Sequence, residues 1–250
     1  MQSRLTGDPY PWLWAQDGRP RVYGHRGAPR AHPENSIAGF LAALDNGADG
    51  IELDIRVSRD HIPVISHDPT LRRTHGENIP INSQPARHLP VPRLDETLAA
   101  IRQAHPKRHL DIELKEPYPP DRLLGLLDRL GGTHGVTVTS FDEAIVTTYR
   151  KETGLAVGLL VDDRRLLAKE AAQLVDKHDP HVVGVRNPVF LGSLSDTLHD
   201  AGRALWVWTL NRRAHMQRAA RFAADAIITD LPGTAVHLLD GKGTHPGPGL

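Results

Sequence analysis

Cysteine is absent from the 250-residue sequence, aromatic residues make up only 5% of it, and no apolar run is long enough to span a membrane. Without cysteine the chain has no disulfide framework and no thiolate ligands for zinc. The 30 Lys and Arg residues balance the 30 Asp and Glu residues, so no net charge favours a nucleic acid as partner. Residues 1–19 contain no apolar stretch of signal-peptide length, and we therefore expect a cytoplasmic protein without stable membrane insertion.

Short apolar segments alternate with amphipathic segments along the chain. The predicted strands are Arg21–His25, Gly50–Val57, Ile62–His67, His109–Lys115, Val136–Ser140, Leu155–Val161, Val182–Arg186, Leu205–Leu210 and Ala226–Thr229. The predicted helices are Asn35–Asn46, Asp95–Ala104, Asp121–Leu130, Glu143–Glu152, Arg164–His178, Leu194–Ala201 and Ala214–Ala224.

This alternation predicts a parallel sheet flanked by helices. About eight strand–helix units in a chain of this length favour α/β closure into a single (β/α)₈ TIM-type barrel. We interpret Ile62–His67 as an excursion after the second strand. No shift in composition marks a second domain, so we predict one domain over residues 1–250.

Two of the predicted strands carry charges on one face only. In residues 50–57 and 110–115 the polar side chains of that face are Glu52, Asp54, Arg56, Asp111, Glu113 and Lys115. Parallel sheets are covered on both faces, so this face points into the barrel. Unpaired buried carboxylates are costly, and Glu52, Asp54 and Glu113 therefore predict an oxygen cage for a hard divalent cation, Ca²⁺ or Mg²⁺. A solvent-facing strand at the edge of an antiparallel sheet would explain the alternation in one of these segments. It fits two such strands poorly in a chain that alternates strands and helices.

Two histidines, His25 and His67, lie where predicted strands end. Barrel enzymes carry their chemistry at these carboxyl ends. An imidazole pair that titrates near neutrality suits the acid and the base of phosphoester cleavage. Arg26, next to His25, suits bidentate binding of a phosphate. Most of the other histidines, of 15 in all, are interpreted as surface or helix-end residues.

Short motifs follow one another in a defined order: His25-Arg26-Gly27, Pro33-Glu34-Asn35-Ser36, Glu52-Leu53-Asp54, His67-Asp68, Ile112-Glu113-Leu114-Lys115, Val207-Trp208-Thr209-Leu210-Asn211 and Ile227-Ile228-Thr229-Asp230-Leu231-Pro232. In this order they resemble the glycerophosphodiester phosphodiesterase family, with a motif-bearing core at about residues 21–235. The resemblance implies a TIM barrel that hydrolyses a small-molecule glycerophosphodiester to sn-glycerol 3-phosphate and an alcohol.

The resemblance also implies a role for each matching residue. His25 and His67 correspond to the acid/base pair. The implied ligands of Ca²⁺ or Mg²⁺ are Glu52, Asp54 and Glu113. The residues implied to bind substrate or to shape its site are Arg26, Lys115, Glu34, Trp208 and Asn211. Residues 74–93 leave no room for a folded insertion.

Two other functions are compatible with the same pattern. A lysophospholipase D, or another phospholipid-cleaving phosphodiesterase on this fold, would need exposed apolar or basic surface near the barrel mouth. A non-catalytic barrel that binds phosphorylated ligands would be expected to lack one of the key side chains. We interpret Arg72-Arg73 and Arg212-Arg213 as solvated surface, which argues against nucleic-acid binding. We expect Pro9–Trp14 to pack across the barrel bottom. Nothing in the sequence indicates an oligomeric state.

Overall fold

The computed structural model of the protein describes residues 8–241. Residues 1–7, part of the stretch in which we predict no signal peptide, and residues 242–250 lie outside the described residues. Within residues 8–241 no helix is long and apolar enough to cross a membrane.

Parallel strands close into a barrel. Its strands are β1 (Arg21–Gly24), β2 (Gly50–Val57), β4 (His109–Leu114), β5 (Val136–Ser140), β6 (Ala156–Val161), β7 (Val182–Arg186), β8 (Ala204–Trp208) and β9 (Ala226–Thr229). β1 pairs in parallel with both β2 and β9, which closes the ring. The predicted TIM-type fold is therefore confirmed. The predicted excursion is also confirmed, because β3 (Pro63–Ile65) pairs antiparallel with β2 outside the ring.

Helices surround the ring. They are α1 (Ile37–Asp45), α2 (Arg72–His75), α3 (Leu94–Ala104), α4 (Pro120–Arg129), α5 (Glu143–Glu152), α6 (Ala168–His178), α7 (Leu191–Asp200), α8 (Arg213–Arg221) and α9 (Pro232–Leu239). The predicted start of the sixth helix at Arg164 is wrong. Asp163 accepts the backbone N–H of Arg165 at 2.8 Å in a turn, and the helix begins at Ala168.

The two faces of the strands divide the molecule as the alternation predicts. Leu53, Ile112 and Val138 point outwards and are buried against the helices. The charged residues of β2 and β4 point into the barrel, where Glu52, Asp54 and Glu113 are buried. The apolar periodicity thus fixes which face of each strand enters the site.

The stretch before β1 covers the amino-terminal end of the barrel. The indole N–H of Trp12 donates to the hydroxyl of Thr137 at 3.2 Å, and that of Trp206 donates to the carbonyl of Leu13 at 3.0 Å. The expected packing of Pro9–Trp14 across the barrel bottom is confirmed. Among residues 8–241, the end of the barrel interior left open for a substrate is the opposite, carboxyl-terminal one.

Candidate active site and metal centre

A cavity of about 400 Å³ opens at the carboxyl-terminal ends of the strands. Its wall brings together predicted site residues from β2, β4 and β8 and from the segments directly after β1, β3 and β4. They are His25, Arg26, Glu52, His67, Glu113, Lys115 and Trp208. Asp54 is fully buried directly beneath this wall. Glu34 and Asn211 are not part of the wall. Glu34 contacts the wall residue Arg26, and Asn211 contacts Asp230, which in turn holds the wall residue His25.

The carboxylate cluster forms because β2 and β4 pair in register. Asp54 lies opposite Glu113 in this pairing, and Glu52 lies opposite Asp111. One carboxylate oxygen from each of Glu52, Asp54 and Glu113 lies within 4.8 Å of the others. Oε1 of Glu52 is buried and has no hydrogen-bond partner among residues 8–241. A buried acceptor of this kind indicates a missing positive partner.

The balance of buried charge leads to the same conclusion. Lys115 Nζ lies 3.0 Å from Asp54 and also contacts Glu113, while Arg26 Nε lies 3.2 Å from Asp54. These two cations face four buried carboxyl groups, those of the cluster and Asp111. Two negative charges are left over if all four groups ionise. A hard divalent cation matches both this charge and the all-oxygen donor set.

The pKa values of the cluster reflect the uncompensated charge. Burial, together with Asp54 and Glu113, raises the pKa of Glu52 well above its usual range. Burial raises the pKa of Glu113 to about 7 and that of Asp111 to about 8. Burial acts in the same sense on Asp54, but Lys115 and Arg26 outweigh it and lower its pKa. Asp54 is thus the member of the cluster that ionises most readily when no cation is bound.

His25 is held by an acid from the last strand of the barrel. Its Nδ1 lies 2.7 Å from Oδ1 of Asp230, which follows β9. Asn211 fixes this acid by donating to Oδ2 at 2.6 Å and by accepting its backbone N–H at 2.9 Å. An ionised carboxylate only accepts, so Nδ1 carries a hydrogen and Nε2 is the nitrogen left for the cavity.

His67 is held in the same manner by its neighbour in the chain. Its Nδ1 lies 2.7 Å from Oδ1 of Asp68, and its carbonyl accepts from Arg56 Nε at 2.9 Å. Burial lowers the pKa of His67. The nearby charge of Asp54 acts to raise this pKa, whereas the positive charges of Lys115 and Arg26 lower it further. Both histidines therefore present Nε2 to one cavity, each with a carboxylate at Nδ1.

The turn after β1 carries Arg26 in a left-handed conformation with φ of 52°. This turns its backbone N–H onto Oε2 of Glu52 at 2.8 Å, while its guanidinium reaches Oε1 of Glu34 at 3.2 Å. Asn35, also left-handed with φ of 55°, donates to Oδ2 of Asp54 at 2.8 Å. The turn thus orients two of the three clustered carboxylates.

Apolar side chains form the opposite wall. Phe141, after β5, meets the Trp208 ring edge-on with centroids 5.4 Å apart, and Leu160 lies beside them. Lys115 Nζ lies 5.6 Å from the centre of the Phe141 ring. One side of the cavity therefore suits the charged group of a ligand, and the other side suits the apolar carbon atoms of the same ligand.

Known proteins share this architecture and sequence pattern. The model of the glycerophosphoryl diester phosphodiesterase family matches residues 25–234. The chain belongs to this family. It is 27% identical over 243 residues to a glycerophosphodiester phosphodiesterase of Caldanaerobacter subterraneus, covering 87% of this chain and 97% of that protein.

Solved structures of the family agree in fold. The crystal structure of a glycerophosphodiester phosphodiesterase from Thermotoga maritima is 27% identical, has a TM-score of 0.76 and covers 88% of this chain and 98% of that one. A phosphodiesterase from Oleispira antarctica, solved with the product sn-glycerol-3-phosphate, is 22% identical with a TM-score of 0.79, covering 89% and 98%. This second likeness concerns the fold.

Several residues of this family member's site are not among the predicted site residues. Asn35, Asp68 and Asp230 lie within the quoted motifs, and the two acids stand directly after strand ends, a signal that points to the carboxyl-end site. Phe141 also stands directly after a strand, β5, but it is an apolar residue and lies outside the quoted motifs. Arg73 is exposed, as the interpretation as solvated surface predicts, with 49% of its side chain accessible, but its guanidinium also pairs with Glu34 and Asp68, each at 2.6 Å.

Proposed function

We propose that the chain hydrolyses glycerophosphodiesters to sn-glycerol 3-phosphate and an alcohol in the carboxyl-end cavity. The observation that carries this proposal is the meeting of the carboxylate cluster with two carboxylate-supported histidines in a barrel of this family. The bound sn-glycerol-3-phosphate of the Oleispira antarctica relative supports the same product here. A cytoplasmic location stays a prediction from the sequence.

Glu52, Asp54 and Glu113 would hold a divalent cation, Ca²⁺ or Mg²⁺. When bound there, such a cation supplies Lewis-acid polarisation of a phosphate oxygen and a template for the substrate. Arg26 and Lys115 add fixed positive charge beside the phosphate, which favours a transition state with more negative charge than the ground state.

The two histidines move the protons. One Nε2 takes a proton from the nucleophile, and the other gives a proton to the leaving alcohol. The nucleophile is either water, which gives sn-glycerol 3-phosphate directly, or the glycerol 2-hydroxyl, which gives a cyclic phosphate. In the second case water then opens the ring, with the two proton transfers in the reverse sense. Asp230 and Asp68 keep the hydrogen on Nδ1 of each ring. Trp208 and Phe141 orient the carbon skeleton by apolar contact. Glu34 orients Arg26, and Asn211 acts on His25 through Asp230.

Two measurements test the proposed function. Glycerophosphocholine is incubated with the wild type and with His25→Ala and His67→Ala variants of confirmed fold. We expect turnover to fall by about 10²- to 10⁴-fold in each variant. Exhaustive chelation should abolish turnover, and Ca²⁺ or Mg²⁺ should restore it. A wild type without activity on glycerophosphodiesters, or near-normal activity of both variants, contradicts the proposal. The first result is also what a non-catalytic phosphate-binding barrel would give.

A lysophospholipase D activity is the second candidate, and exposed apolar side chains at the barrel mouth favour it. Leu167, Val189 and Phe190 are 48%, 51% and 45% exposed in the loops that follow β6 and β7, and Phe141 is 41% exposed at the cavity edge. Lysophosphatidylcholine and glycerophosphocholine separate the candidates. If the surface serves lipid, Val189→Ser/Phe190→Ser lowers turnover of the lysophospholipid alone. Equal effects on both substrates, or no turnover of the lysophospholipid, contradict this activity.

A further inference from the structure

Arg73 joins two loops of the barrel mouth. It lies in α2, after the β3 excursion, and its bidentate fork reaches Glu34 in the β1–α1 loop, with both contacts at 2.6 Å. Its third donor, Nε, reaches Oδ2 of Asp68 at 2.6 Å. A single guanidinium thus holds two carboxylates that come from different loops.

Each of these carboxylates supports a different group of the cavity. Asp68 uses its other oxygen on Nδ1 of His67 at 2.7 Å. Glu34 contacts the guanidinium of Arg26 at 3.2 Å, and Arg26 in turn pairs with Asp54. The chain of contacts therefore runs from His67 through Arg73 to Arg26. Arg73 is not part of the cavity wall that these two residues share.

We propose that Arg73 is a positioning residue that sets the imidazole of His67 and the guanidinium of Arg26 relative to each other. Its own guanidinium touches neither group and acts through Asp68 and Glu34. The proposal rests on the function proposed above. All three guanidinium nitrogens donate within one rigid planar group, and the point charge of a lysine does not reproduce that geometry.

Arg72 offers a matched control. It is the neighbouring residue, of the same type, in the same short helix, and its side chain is exposed. No ion pair of Arg72 is found within residues 8–241. Replacing Arg72 thus changes the net charge and the helix in the same way as replacing Arg73 but leaves both carboxylates held.

The test compares Arg73→Ala, Arg73→Lys and Arg72→Ala with the wild type on glycerophosphocholine. We expect kcat to fall by about 10- to 100-fold in both Arg73 variants. Arg72→Ala should match the wild type. Added guanidinium ion at millimolar concentration should restore part of the kcat of Arg73→Ala and leave Arg72→Ala unchanged. Thermal unfolding and Ca²⁺ titration confirm that each variant is folded and keeps its cation site.

A double-mutant cycle sharpens the assignment. Each loss of kcat is converted into an increase in activation free energy. If Arg73 acts through Glu34, the increase in the double variant Glu34→Gln/Arg73→Ala is smaller than the sum of the increases in the two single variants. A wild-type kcat in Arg73→Lys overturns the positioning role, and so does an equal loss in Arg72→Ala and Arg73→Ala. Should Arg73→Ala fail to fold, the kcat of Arg73→Lys decides. Absence of wild-type turnover contradicts the proposed function instead.

Discussion

At the residue scale, the state of Glu52 without a cation is set by its neighbours. Its pKa is raised well above the usual range by burial and by Asp54 and Glu113, which favours its protonated form. Glutamine has the shape of that protonated acid but remains neutral when a cation arrives. The same substitution therefore has different effects on the apo protein and on the cation-bound protein.

We predict that Glu52→Gln leaves the melting temperature of the chelated protein nearly unchanged but removes its increase with Ca²⁺ or Mg²⁺. A cation that binds the native state at 100 times its Kd adds about 2.7 kcal/mol to the stability of the wild type. Differential scanning calorimetry with chelator and with excess cation checks this. A wild type that gains nothing from either cation, or a variant that gains as much, contradicts the assigned ligand set.

Asp230 gives a second prediction at this scale. Burial raises its pKa, but the hydrogen bonds from His25 and Asn211 outweigh burial and lower it, so the acid is ionised. We predict that Asp230→Asn lowers kcat by on the order of 100-fold, because the amide no longer secures the hydrogen on Nδ1 of His25. Asn211→Ala leaves the carboxylate in place and should cost less. Steady-state kinetics with glycerophosphocholine decides, and equal kcat in Asp230→Asn and the wild type contradicts the role.

Strand alternation predicts Glu52, Asp54 and Glu113 as a cluster because a period of two places them on one face. It does not predict Asn35. That residue reaches Asp54 only because the loop before α1 folds over the barrel mouth with left-handed residues. Such a fold depends on contacts between distant segments, which a local pattern does not contain.

At the element scale, the β1–α1 loop lies tightly on the helix that follows it. Gly27 has φ of +89°, and a Cβ there would lie 2.6 Å from the carbonyl carbon of Gly39 in α1. The close approach holds the turn that aims the backbone N–H of Arg26 at Glu52. Glycine at this position therefore serves the packing of the loop on the helix.

We predict that Gly27→Ala destabilises the fold by roughly 3 kcal/mol, from a left-handed backbone and a clash together, and lowers activity by displacing Arg26. Gly18 is a matched control because it has φ of +78° and nothing within 4 Å of an added Cβ. Gly18→Ala should cost only about 1 kcal/mol and keep full activity. Urea unfolding measures both values, and similar costs at the two positions would show that packing at Gly27 is loose.

The two helices that the sequence does not predict are short and carry misleading signals. α9 opens with Pro232-Gly233, a pair typical of a turn. Proline suits the first position of a helix, and glycine lets α9 approach Asn46, whose Cβ would lie 3.2 Å from an added methyl group. α2 spans only Arg72–His75, too short for a period of 3.6 to be seen.

At the scale of the whole molecule, the barrel separates chemistry at one end from stability at the other. The alternation of strands and helices predicts the closed ring, because eight parallel units leave no free edges. It does not predict how the amino-terminal end is sealed. There Trp12 packs near His109 and His134, with ring centroids 6.3 and 4.9 Å away. His134 is exposed, whereas the imidazole of His109 is partly buried in this layer.

This layer makes the fold sensitive to acid. Burial lowers the pKa of His109 to about 4, aided by Arg21 and opposed by Asp49, whereas an unfolded histidine has a pKa of about 6.5. Between these values the unfolded chain binds more protons than the folded one. The contribution of neutral His109 is therefore complete above about pH 6.5 and is lost as the pH falls towards 4.

We predict that His109→Gln reduces the loss of unfolding free energy between pH 7 and pH 4.5 by on the order of 2 kcal/mol, since glutamine takes up no proton in either state. Its stability at pH 7 is expected to fall through lost ring packing, so the readout is the difference between the two pH values, taken from urea unfolding. His88→Gln is the control, because that side chain is exposed. If both variants keep the wild-type pH dependence, the acid sensitivity comes from another part of the molecule, and the partly buried imidazole of His109 is tolerated in its charged form.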